Sequence, residues 1–179
     1  MFTKVLIANR GEIAMRIIRT CIRLGIKTAA VYSEADRDAL HTKAATEAYY
    51  IGKSRVSESY LNIERIIEAA KKANADAIHP GYGLLSENSH FAQRCKEENI
   101  VFIGPSPAVI AKMGSKIEAR KAMEEAGVPV VPGVSETLGD IQAACLAASE
   151  IGYPVMLKAS AGGGGIGMQL VPDEEALIK

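Results

Sequence analysis

The sequence predicts an α/β protein: an open, Rossmann-like parallel sheet with helices on both faces, followed by the start of a second, smaller unit. Three observations carry this. Short continuous apolar runs such as Val5, Leu6, Ile7 and Ala8 suit strands buried on both faces. Stretches of helical period stand between them, so strand and helix alternate. Then Gly127, Val128, Pro129, Val130, Val131, Pro132 and Gly133 interrupt the pattern, and a strand, a glycine run and another strand follow.

The elements are read in chain order. Residues 5–8 form the first strand. From Glu12 a helix is expected, with Ile13, Ile17, Cys21 and Leu24 on one stripe and Arg16, Arg19 and Arg23 off it, ending at Gly25. Residues 28–32 form the second strand, completing a βαβ unit. Residues 47–51 suit a short strand, 60–73 a helix, 76–78 a strand, 89–98 a helix and 100–103 a further strand. Polar residues should then gather where parallel strands end, at 9–12, 79–88 and 104–106. Residues 107–126 are expected as one long helix. In the second unit a helix spans 140–151, strands lie at 155–157 and 168–171, and a helix opens at Asp173.

Composition narrows the function. Lys+Arg and Asp+Glu number 21 each, so no net field attracts nucleic acid or an anionic membrane, and any phosphate binding must be local. Aromatics are 5% with no tryptophan, which disfavours a base-stacking surface. Cys21, Cys95 and Cys145 are single and far apart, which points to reduced, half-buried thiols in a cytoplasmic protein and to neither a zinc site nor a redox pair. The opening MFTKVLIANRGE is too briefly apolar for a signal peptide, and no run is long enough to span a bilayer.

Four motifs could carry chemistry. In KASAGGGGIGMQ at 158–169, Gly162, Gly163, Gly164 and Gly165 offer backbone N–H groups and no side chains. Lys158 supplies a charge at the end of a strand, and Gly167 follows the run. The lysine precedes the glycines and no Gly-Lys-Ser/Thr follows, so this is not a Walker loop. A strand on each side makes a hairpin, which reads either as a lid over phosphates or as a plain surface turn. NRGEIA at 9–14 lies where a dinucleotide fold binds anions, but it has one glycine, and Glu12 favours a simple helix start over pyrophosphate. In HPGYGLLSEN at 79–88, His79, Tyr82, Glu87 and Asn88 are polar groups on an irregular loop. Equally, Ser86 or Asn88 could be a helix cap and His79 a satisfied turn residue. Lys116 sits in a basic helical stretch, where a solvated face is the default reading.

Taken together, NRGEIA, AIHPGYGLLSEN, FIGPS, MGSK and YPVMLKASAGGGGIGM resemble the N-terminal part of biotin carboxylase, the ATP-grasp component of biotin-dependent acyl-CoA and pyruvate carboxylases, from Lys4 to Val171. The resemblance implies a pre-ATP-grasp domain at 1–112, a connecting helix and linker at 113–132, and an incomplete ATP-grasp lid subdomain at 133–179. It implies ATP- and bicarbonate-dependent carboxylation of biotin on a carrier domain, with Mg2+ or Mn2+ bridging phosphates, a carboxyltransferase as partner and a homodimer with Arg19 near its surface. Lys116 and Lys158 would contact ATP phosphates; Gly162, Gly163, Gly164, Gly165 and Gly167 would close over them; Tyr82 and Glu87 would border biotin and bicarbonate. Ile166 and Gln169 replace residues that are commonly basic in this family, making a less basic lid. The family's adenine pocket, metal ligands, base and arginine would lie beyond position 179, so the chain alone is expected not to turn over ATP. Other ATP-grasp ligases, such as a carbamoyl-phosphate synthetase or a purine carboxylase, share the architecture. A non-catalytic assembly domain is the alternative of another class.

Overall fold

The computed structural model describes residues 2–134, 137–159 and 167–179, and the chain divides into two compact units, Met1–Ala111 and Lys112–Lys179. In the first, β1 (Lys4–Ile7), α1 (Gly11–Arg23), β2 (Lys27–Ser33), α2 (Leu40–Ala44), β3 (Glu47–Gly52), α3 (Ile63–Lys72), β4 (Ala77–His79), α4 (Ser89–Glu97) and β5 (Val101–Phe102) follow in order, and α5 (Pro107–Gly114) runs across the boundary. The sheet runs β3-β2-β1-β4-β5, and every pairing is parallel. The chain therefore builds outward from β1 on one side and then returns to the other side with β4. That reversal opens a crevice beyond the carboxyl ends of β1 and β4, where ligands bind in open α/β sheets.

Period-2 alternation in β1 explains the core. Val5 and Ile7 face Ala14, Ile17, Ile18 and Cys21 of α1. Leu6 and Ala8 face the opposite side with Ile66, Ile67, Phe91 and Cys95 of α3 and α4. The buried seam of α1 therefore centres on Ala14, Ile17, Ile18 and Cys21. Ile13 is only half-buried and Leu24 is 62% exposed, because Leu24 is the C-cap, where the helical period no longer aims its side chain. Cys21 and Cys95 are buried rather than half-buried, Cys145 is partly exposed, and burial pushes the Cys95 thiol up to about 12.

Other boundaries differ from the sequence expectation for identifiable reasons. The helix expected from Tyr60 begins at Ile63, since the side chain of Asn62 accepts from Arg65 N at 3.2 Å and caps it. The 100–103 strand pairs only at Val101 and Phe102, on the sheet edge. The expected long helix 107–126 is two helices, α5 and α6 (Lys116–Glu125). Ser115, extended at φ −85° and ψ 118°, accepts from Glu118 N and caps a new helix.

Tyr60 is freed from the helix for another role. Fully buried, it donates its hydroxyl to Asp36 Oδ2 at 2.8 Å and accepts from Ser33 N at 3.2 Å. Ser33 Oγ also donates to Asp36 at 2.7 Å. Arg10 stands 3.4 Å from the Asp36 carboxylate and 5.4 Å over the Tyr60 ring. Burial alone would raise the Asp36 pKa, but the Ser33 and Tyr60 hydroxyls and the Arg10 charge outweigh it, and the pKa is lowered. A lowered folded pKa adds stability above the ordinary carboxylate range, which is lost as pH falls through the folded value. Tyr60→Phe strips a partner from both Asp36 and the Ser33 N–H. It is expected to cost about 1–3 kcal/mol in urea unfolding at neutral pH, with a smaller loss in acid.

In the second unit, α6 is followed by α7 (Ile141–Ile151), β6 (Val155–Lys158), β7 (Met168–Val171) and α8 (Glu174–Ile178). Asp140 and Asp173 cap α7 and α8 through side-chain bonds to Ala143 N and Ala176 N. β6 and β7 form an antiparallel two-stranded sheet, as the sequence pattern requires.

Candidate functional site

In the first unit the candidate groups collect where β1 and β4 end. Ile7 stands in register with His79, and Ala8 N donates to His79 O at 2.9 Å. His79 Nδ1 accepts from Gly81 N at 3.0 Å, which leaves Nε2 to carry the proton of the neutral ring. Burial lowers the His79 pKa, so this is the satisfied turn histidine that the sequence allowed as one reading. Asn9, directly after β1, donates Nδ2 to Pro80 O at 2.7 Å and to Tyr82 O at 2.9 Å.

Tyr82 is 60% exposed beside this turn, and its hydroxyl donates to Glu12 Oε1 at 2.5 Å. The Glu12 carboxylate raises the phenol's pKa above its ordinary value. Glu12 therefore opens α1 in its first turn, as expected, and also joins that helix to the Tyr82 loop. Glu87 is exposed and makes no hydrogen bond among the described residues. Asn88, not Ser86, caps α4, accepting from Phe91 N at 2.9 Å.

In the second unit Lys158 is the exposed last residue of β6, with Met168 opposite it in the register. The hairpin continues one step further, where Ala159 N donates to Gly167 O at 2.9 Å. Gly167 adopts φ +72°, and a Cβ there would stand 3.0 Å from that of Ala159, so glycine suits both the turn and the close approach. Gly162, Gly163, Gly164, Gly165 and Ile166 lie outside the described residues. Gln169 is exposed opposite Leu157.

Lys116 is the first residue of α6, and its Nζ donates to Ala159 O at 3.1 Å. Lys116 thus reaches the backbone of the residue that follows Lys158. A lysine at a helix start opposes the helix dipole, a local cost that a bound anion would offset. That placement, three residues before Ala119 in what reads as continuous basic helix, was not legible until the break at Ser115 was known. The roles of Asn9 and of the Glu12–Tyr82 pair were equally hidden, since their partners lie 71 to 73 and 70 residues away. The only sequence sign was a polar residue immediately after an apolar strand run.

Among the described residues no three or more His, Cys, Asp or Glu side chains assemble as a metal site, and no helix is long and apolar enough to cross a membrane.

Residues 1–110 match the family described as biotin carboxylase, N-terminal domain, and residues 115–179 match carbamoyl-phosphate synthase L chain, ATP binding domain. Biotin carboxylase 2 of Bacillus subtilis is 87% identical across the whole chain, which covers 40% of that protein. The crystal structure of the Campylobacter jejuni biotin carboxylase–β-γ-ATP complex aligns over 99% of this chain and 40% of its own, at 54% identity and TM-score 0.94. The biotin carboxylase domain dimer of Hydrogenobacter thermophilus 2-oxoglutarate carboxylase, solved with MgADP, ADP and bicarbonate, aligns over 99% of this chain and 39% of its own, at 54% identity and TM-score 0.92. The chain thus spans about 40% of the length of these relatives. With the first unit matched almost from end to end and both structural neighbours agreeing on the fold, the chain belongs to the biotin carboxylase family.

Proposed function

We propose that this chain forms the N-terminal part of an ATP-dependent biotin carboxylase. Lys116 and Lys158 contact the phosphates of ATP, and the Tyr82 loop with Glu87 borders biotin and bicarbonate. The observation that carries the reading is the bond from Lys116 Nζ to the carbonyl of Ala159, the residue directly after Lys158 at the end of β6. The structural relatives bound to MgADP with bicarbonate, or to β-γ-ATP, support the same substrates here.

Bicarbonate oxygen attacks the γ-phosphorus as the bond to ADP breaks, giving carboxyphosphate. Its breakdown releases phosphate and CO2, and N1 of the biotin ureido ring bonds to the CO2 carbon as its own N–H proton passes to the released phosphate. The lysines act by position and charge, which is most of what phosphoryl transfer asks of a protein. Gly162, Gly163, Gly164, Gly165 and Gly167 close over the phosphates as a backbone lid, one less basic for having Ile166 and Gln169. A divalent ion bound with ATP would supply neutralisation of phosphate charge. Among the described residues, no cluster of three or more His, Cys, Asp or Glu side chains would hold it.

The carrier domain that holds biotin and the carboxyltransferase that receives the carboxyl group are the partners this chemistry requires. A homodimer through the outer face of α1 fits the exposed Ile22 and Leu24 beside Arg19. The unpaired thiols suit the cytoplasm. Label from [14C]bicarbonate tests the reading: the intact polypeptide containing this chain is expected to transfer it to free biotin only with ATP. Ammonia-dependent ATP cleavage without biotin labelling would favour a carbamoyl-phosphate synthetase activity instead.

A further inference from the structure

Asn9 is 5% exposed, and its carboxamide is fully engaged. Nδ2 uses both protons, on Pro80 O and Tyr82 O, while Oδ1 accepts from Arg10 N at 2.9 Å. The loop is seated on this group so closely that a Cβ at Gly81, which adopts φ +69°, would lie 2.7 Å from Asn9 Nδ2. Below it, the Ala8 N to His79 O bond and the Gly81 N to His79 Nδ1 bond tie the same loop to β1. Above it, Glu12 takes the Tyr82 hydroxyl proton. Tyr82 is therefore held at its backbone and at its tip by one turn, the turn at the crevice between β1 and β4. A phenol that gives its proton to a carboxylate has only acceptor capacity left for a ligand.

We propose that Asn9 is a positioning residue that, together with Glu12, fixes Tyr82 as a hydrogen-bond acceptor for a ligand N–H. This rests on the reading that Tyr82 borders biotin, whose ureido ring supplies such a donor. Asn9 itself touches no ligand; it acts through the Pro80 and Tyr82 carbonyls.

Asn9→Asp tests this in the intact carboxylase, because it keeps the size of the side chain while setting a carboxylate oxygen against two carbonyl oxygens. Gly81→Ala perturbs the same contact from the loop side and serves if the first variant does not fold. The expected result is faster amide exchange at 81–84 and a KM for biotin raised roughly tenfold, as for one lost buried hydrogen-bonding contact, with the KM for ATP within about twofold. Unchanged exchange at 81–84 in both variants overturns the inference. So does a parallel rise in both KM values, which would mark a general structural role. So does an unchanged KM for biotin in a variant whose loop exchanges faster, provided that Tyr82→Ala raises that KM. If Tyr82→Ala leaves the KM for biotin unchanged, the Tyr82 reading itself fails, and the ligand part of the inference falls with it, while the exchange rates still decide the clamp.

Discussion

Lys158→Ala is expected to raise the KM for ATP of the intact enzyme by roughly ten- to a hundredfold, the equivalent of about 1.5–3 kcal/mol for one charge-assisted contact to phosphate. The lysine is exposed at the end of β6, and no core packing depends on it. The melting temperature should therefore stay within about a degree or two, as for surface substitutions generally. Lys158→Arg should recover part of the loss, since the charge persists with a different reach. Lys116→Ala should act in the same direction. Its ammonium has three donors and gives one to Ala159 O, leaving two for an anion at the same strand end. Steady-state kinetics at saturating bicarbonate and biotin provide the measurement.

The largest effect on stability is expected from Phe91→Ala, about 3–5 kcal/mol by urea unfolding. Phe91 is fully buried in α4, with its ring edge-on to Phe102 of β5 at a centroid distance of 5.8 Å and an interplanar angle of 88°. It belongs to the core that α3 and α4 form on the Leu6 and Ala8 face of the sheet. Truncation leaves a cavity there and removes the packing that holds the short edge strand β5. Against a typical total of 5–15 kcal/mol for a protein domain, that loss is a large fraction. Phe91→Leu, which fills much of the volume, should cost clearly less.

What the sequence made legible follows from the range of each signal. Continuous apolar runs identify buried parallel strands because both faces of such strands are covered, and β1 and β2 are readable for that reason. The break at Ser115 is hidden because basic side chains keep a helical period on both sides of it; the cap lies in a serine and a backbone turn, not in hydrophobicity. The short α2 carries buried His41 but no long amphipathic pattern, and it too was invisible.

The site was legible in part. Tyr82, Glu87, Lys116 and Lys158 were named through a resemblance of motifs, not through periodicity. Of these, Lys116 reaches the residue after Lys158, Tyr82 is clasped by Asn9 and Glu12, and Glu87 stands alone among the described contacts. Register explains why the clasp could not be foreseen. Nothing local indicates that β4 pairs with β1, and only that pairing sets position 9 beside positions 80 and 82.

Equilibrium binding of adenosine, AMP, ADP and ATP to the intact enzyme, compared with its Lys116→Ala and Lys158→Ala variants, tests the central claim most directly. If the two lysines hold phosphates, affinity for adenosine should be unchanged, and the loss should grow with phosphate number to roughly tenfold or more for ATP. An equal loss for all four ligands, or no loss for ATP, would contradict it.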